Sequence, residues 1–97
     1  MDILLPHETE LTGRWLEIEG KVHGDAVCKR IHDLTNGVLN SIQDHPKSGG
    51  WTRLFRDPAD GRYWERTYLQ SGLHGGGPPT LRSITMEKVI EEYGFRP

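Results

Sequence analysis

A chain of 97 residues has room for one small domain, taken to span 1–97, and its formal charge of −2 lacks the basic excess that accompanies nucleic-acid binding. Hydrophobic residues make up 34% and charged residues 27%, yet three tryptophans, three tyrosines and two phenylalanines supply anchors for a limited core, so the chain reads as folded rather than disordered. No apolar run approaches the ~20 residues that cross a bilayer, Ile3-Leu4-Leu5 is too short for a secretion signal, and the single Cys28 permits neither an internal disulfide nor a cysteine-based metal site, so a cytoplasmic protein without membrane, metal or cofactor is expected.

Residues 1–10 read as an irregular lead-in. Residues 13–24 read as a strand pair: Leu16, Ile18 and Val22 are apolar, Glu17, Glu19 and Lys21 alternate with them, and Gly20 suits a tight turn. Asp25 is an N-cap residue for the segment that follows. There Val27, Ile31, Leu34, Val38 and Ile42 recur at steps of four and three, which predicts one long amphipathic helix ended by Pro46. Gly37 inside it costs about 1 kcal/mol relative to alanine and marks a kink or a close contact.

Residues 51–70 carry two aromatic-rich segments around Asp57-Pro58-Ala59-Asp60-Gly61, which predicts a β-hairpin with a five-residue loop. Pairing Arg56 with Arg62 sets Phe55 opposite Tyr63, Leu54 opposite Trp64 and Arg53 opposite Glu65. One face then carries Trp51, Arg53, Phe55, Tyr63, Glu65 and Leu69, and the other Leu54, Arg56, Arg62, Trp64, Arg66 and Tyr68. Both faces hold aromatics, so the pattern leaves open which of them is core. Residues 80–85 predict a last strand. Thr85 caps a short helix that begins at Met86 and stops at Gly94. The order β-β-α-β-β-β-α predicts an α+β fold, with an antiparallel sheet of four to five strands and a long and a short helix on one face.

Chemistry is sparse. Gly75-Gly76-Gly77 leads into Pro78-Pro79, which have no amide hydrogen to offer a phosphate, and the next element is a strand rather than a helix. None of the five histidines is paired at a helical metal spacing. Cys28 lies beside the apolar stripe of its helix and reads as a small hydrophobe rather than a nucleophile. An enzyme would need His74 to meet a carboxylate such as Asp57, Asp60 or Glu65. Aromatic and arginine side chains, the residue types enriched at binding hot spots, are plentiful instead.

The longest motif is Asp57 to Tyr68 continued by Gln70 to Pro79, that is, Asp-Pro-Ala-Asp-Gly-Arg-Tyr-Trp-Glu-Arg-Thr-Tyr and then Gln-Ser-Gly-Leu-His-Gly-Gly-Gly-Pro-Pro. Together with Gly13-Arg14-Trp15, and with Gly24-Asp25 followed by Cys28 and Ile31, it resembles the immunity protein 27 family over roughly residues 11 to 93. The family often has proline where Leu69 stands. The resemblance implies a cytosolic antidote, without catalysis of its own, that binds a cognate bacterial toxin domain encoded beside it. It supplies no toxin activity and no active-site residues. The expected partner-binding residues are Trp15, Trp64, Arg66, Tyr68 and His74, on the hairpin, its following loop and an adjacent strand. Should Trp64 and Tyr68 be buried, Arg53 and Glu65 replace them. The alternatives are the small enzyme built on His74 and a housekeeping protein-interaction module.

Overall fold

The computed structural model describes residues 3–68 and 77–94. Strands β1 (Glu10–Thr12), β4 (Asn40–His45), β5 (Gly49–Arg56), β6 (Tyr63–Thr67) and β7 (Thr80–Ile84) form one antiparallel sheet in the order β1-β7-β6-β5-β4. Strands β2 (Trp15–Ile18) and β3 (Lys21–Gly24) form a separate two-stranded hairpin. Helix α1 runs from Ala26 to Asp33 and opens into a wider turn over Leu34–Val38; helix α2 runs from Met86 to Tyr93. The α+β class and the five-stranded antiparallel sheet are as expected. Two strands are additions: β1, which overlaps the lead-in at Glu10, and β4, inside the predicted long helix.

The long helix ends early for a local reason. The Thr35 hydroxyl donates to the Ile31 carbonyl at 2.8 Å and the Asn36 amide to the His32 carbonyl at 2.7 Å. These side chains occupy acceptors that the next helical turn would use. Asn36 then leaves helical space at φ −115° and ψ 27°, and the Leu39 amide closes a five-residue turn onto the Leu34 carbonyl. Leu39 is buried and Ile42 half-buried, but Ile42 is reached by a strand rather than by the helix stripe.

Hairpin β5–β6 exists with a register one residue away from that expected. Arg56 pairs with Tyr63, Phe55 with Trp64, Leu54 with Glu65 and Arg53 with Arg66. Asp57 accepts from the Gly61 amide at 2.8 Å and donates its own amide to the Arg62 carbonyl at 2.9 Å. The loop proper is therefore Pro58 to Gly61, with Gly61 at φ +79°, where only glycine sits without strain. Losing one loop residue exchanges the faces of one strand relative to the other.

That register explains why both faces looked like core. Phe55 and Trp64 pack with Leu81, Leu11, Leu39 and with Ile31 and Leu34 of the α1 segment. Leu54 and Tyr63 pack with Val89 and Tyr93 of α2, flanked by Ile42 and Ile84. Neighbouring strand residues point to opposite faces, so the two helices cover opposite faces of the sheet rather than one. A sheet with large apolar groups on both sides needs a cover on each.

Candidate partner-binding surface

Hairpin β2–β3 is built on a two-residue turn in which Glu19 (φ +51°) and Gly20 (φ +78°) are both left-handed, the geometry that suits strand twist. Trp15 pairs with Gly24, Leu16 with His23, Glu17 with Val22 and Ile18 with Lys21. Val22 therefore lies on the face opposite Leu16 and Ile18, so no single face gathers the apolar groups. All eight strand residues are exposed: Leu16 by 47%, Ile18 by 54%, Val22 by 60% and Trp15 by 37%. Leu16, Ile18 and Val22, which alternate with charged residues along the sequence, are thus all on the outside.

The root of this arm is fastened tightly. The Gly13 amide donates to the Pro79 carbonyl at 2.9 Å and the Asp25 amide to the Arg14 carbonyl at 2.9 Å. Asp25 caps α1, accepting from the Cys28 amide at 2.9 Å, and this bond holds its carboxyl below the usual range. The Cys28 thiol donates to the Arg14 carbonyl at 3.4 Å. Burial, reinforced by Asp25, pushes that thiol up, which disfavours the thiolate.

The expected contact residues separate. Trp15 sits at the arm's root and is exposed. Trp64 is 0% exposed, under α1 with the Arg62 guanidinium 4.8 Å from its ring centre, and leaves the set because a core residue has no surface to offer. Arg66 and Tyr68 are half-buried neighbours, with the guanidinium 5.3 Å from the Tyr68 ring centre and 5.9 Å from that of Phe55. They line a crevice of about 110 Å³ against Cys28 and His32 of α1. On its other side Tyr68 meets Trp51 edge to face at 5.5 Å, beside a groove of about 400 Å³. His74 lies outside the described residues. The fallback pair divides too: Arg53 binds Ser41 and Asp44 at 2.5 Å each, while Glu65 is buried.

The carboxylates invoked for an enzyme are each engaged separately. Asp57 is buried and accepts from the Ala59 amide at 2.9 Å. Asp60 accepts from the Arg62 amide at 3.0 Å and from its Nε at 2.6 Å, which keeps its carboxyl below the usual range. Glu65 accepts from the Tyr93 hydroxyl at 2.8 Å and from Arg82 at 3.3 Å. Among the described residues no three His, Cys, Asp or Glu side chains are grouped to hold a metal ion, and no helix is long and apolar enough to cross a membrane.

Fold and surface together define an α+β fold in which a five-stranded sheet is covered on both faces and a separate hairpin exposes four large apolar residues. The chain belongs to the immunity protein 27 family, whose family model matches residues 17–85. Membership implies a protein partner such as a toxin and suggests a non-catalytic protein. No curated protein and no solved structure matches the chain.

Proposed function

We propose that the chain acts as one domain in the cytoplasm and neutralises a cognate bacterial toxin by stoichiometric binding, with no catalysis of its own. Family membership carries this reading. The exposed arm supports it, since four large apolar side chains, Trp15, Leu16, Ile18 and Val22, are clustered in one short hairpin and left in water. Within the proposed contact surface Trp15, Arg66 and Tyr68 are retained from the sequence reading. His74 is a further proposed contact, carried by the same motif as Tyr68. Leu16, Ile18, Val22 and Trp51 join them on exposure. In this reading the toxin belongs to a polymorphic system used in bacterial competition.

The test is co-expression with the toxin domain encoded by the neighbouring gene. Cell survival and a one-to-one complex on co-purification are expected. Continued toxicity, with two separately eluting proteins, would remove the proposal.

A further inference from the structure

We infer that the β2–β3 arm inserts into a cleft of its partner, apolar opposite Trp15, Leu16, Ile18 and Val22 and polar opposite Glu17 and Lys21, both faces covered, rather than lying flat on a surface. The inference rests on the toxin-binding reading for the partner's identity. The arm's own geometry decides the mode of contact. Leu16 and Ile18 lie on one face and Trp15 and Val22 on the other, all of them exposed. A flat partner covers one pair and strands the other in water.

Area points the same way. Four residues per strand at ~3.3 Å each make a face about 13 Å long, which presents on the order of 300 Å² of accessible surface. Two copies meeting arm to arm would bury roughly 600 Å² in total, well under the ~1,200 Å² at which specific interfaces begin. A cleft that takes both faces brings the total to roughly that threshold. This argues against a symmetric arm-to-arm dimer and favours a concave partner. Among the described residues each strand of the arm is paired along one edge only, and cleft walls can satisfy the backbone groups of the other. The root bonds through Gly13, Arg14 and Asp25 hold the arm in place before binding, which lowers the ordering cost of insertion.

The experiment measures affinity of the full chain for the neighbouring toxin domain, using Ile18→Asp on one face and Val22→Asp on the other. Circular dichroism and a melt of each variant report the fold. Should an aspartate variant fail to fold, Ile18→Thr and Val22→Thr keep strand propensity and take its place. Both substitutions are expected to weaken binding at least ~30-fold, the scale of an interface hot spot. Loss for one face only would overturn the cleft in favour of a flat contact. Wild-type binding with both variants within threefold would overturn the arm while leaving toxin neutralisation intact. No wild-type binding would remove neutralisation and the arm's proposed partner together. A concentration-dependent dimer of the free wild-type chain that Ile18→Asp abolishes would assign the arm to a second copy and overturn the inference.

Discussion

The sulfur of Cys28 occupies the space in front of Gly13: a Cβ placed there would stand 2.6 Å from Sγ and 2.8 Å from the Pro79 carbonyl oxygen. Gly24, at the other end of the arm, faces the same residue, with its notional Cβ 2.9 Å from Cys28 Cβ. One cysteine therefore sets how closely both roots of the arm approach α1. Gly13→Ala is expected to cost about 1–3 kcal/mol through overpacking. Cys28→Ala should recover part of that cost by removing the sulfur, but not all, because the Pro79 backbone remains. It should recover little for Gly24→Ala, whose nearest obstacle is the Cβ that alanine retains. Urea midpoints of the singles and doubles check this.

Trp64 was expected at the interface and lies in the core, while Trp15 and Trp51 are exposed. A Trp15→Phe/Trp51→Phe variant, with Trp64 as its remaining tryptophan, should emit at short wavelength and resist quenching by acrylamide. The complementary variants should be quenched readily. Trp64→Ala is expected to cost about 3–5 kcal/mol, the range for emptying an aromatic site. Red-shifted, easily quenched emission from Trp64 would contradict its placement under α1.

These outcomes show what the residues encode locally and what they leave to tertiary structure. Asp25, Thr85 and Gly94 were legible as helix ends, because capping depends on one side chain or one left-handed residue. The Gly20 turn, the β5–β6 hairpin and the last strand were legible for similar reasons. Strand β4 was not, since Val38 and Ile42 continue the helical spacing by coincidence, and only the Thr35 and Asn36 side-chain bonds show why the helix stops. The register of β5–β6 hung on a single loop residue, and that residue decided the fate of Trp64. The exposure of both faces of the arm was not legible, because alternation reports a periodicity and not what covers it. A hint was available: in a two-residue turn on Glu19-Gly20, Val22 falls opposite Glu17, away from Leu16 and Ile18.

Glu65 is 4% exposed and relies on the Tyr93 hydroxyl at 2.8 Å, with Arg82 at 3.3 Å. Tyr93→Phe should cost about 1–3 kcal/mol by leaving a buried carboxylate short of a donor. The pH dependence has a defined sign. Burial, with Glu65 adding to it, holds the Tyr93 hydroxyl above its ordinary value of 10. A folded-state pKa above the unfolded one gives stability that is complete below pH 10 and lost progressively above it. The wild-type chain should therefore lose stability between pH 10 and 12 more steeply than Tyr93→Phe in parallel urea titrations. Equal slopes would count against a buried, neutral Tyr93 hydroxyl in the folded state.

The acid limb rests on Glu8. Its two carboxylate oxygens each accept from Arg30 at 2.6 Å, one of them also accepts from the Leu5 amide at 2.8 Å, and Arg30 reaches on to the Ile3 carbonyl at 2.7 Å. Arg62 holds the same segment from the sheet side through the carbonyls of Glu8 and Leu5. The Arg30 bonds bring the Glu8 carboxyl from 4.5 down to about 2. A depressed carboxyl pKa contributes stability that is present above the unfolded value and lost as pH falls through the folded one. Glu8→Gln is accordingly expected to cost about 2 kcal/mol at pH 7, the scale of a partly buried charge-assisted bond. The gap between wild type and Glu8→Gln should narrow from pH 4.5 downward and close near pH 2. Guanidinium is unsuitable for this measurement because its ions screen the pair. Urea midpoints at fixed ionic strength are the appropriate readout, and a gap that stays constant across that window would show that Glu8 stabilises by packing rather than by charge.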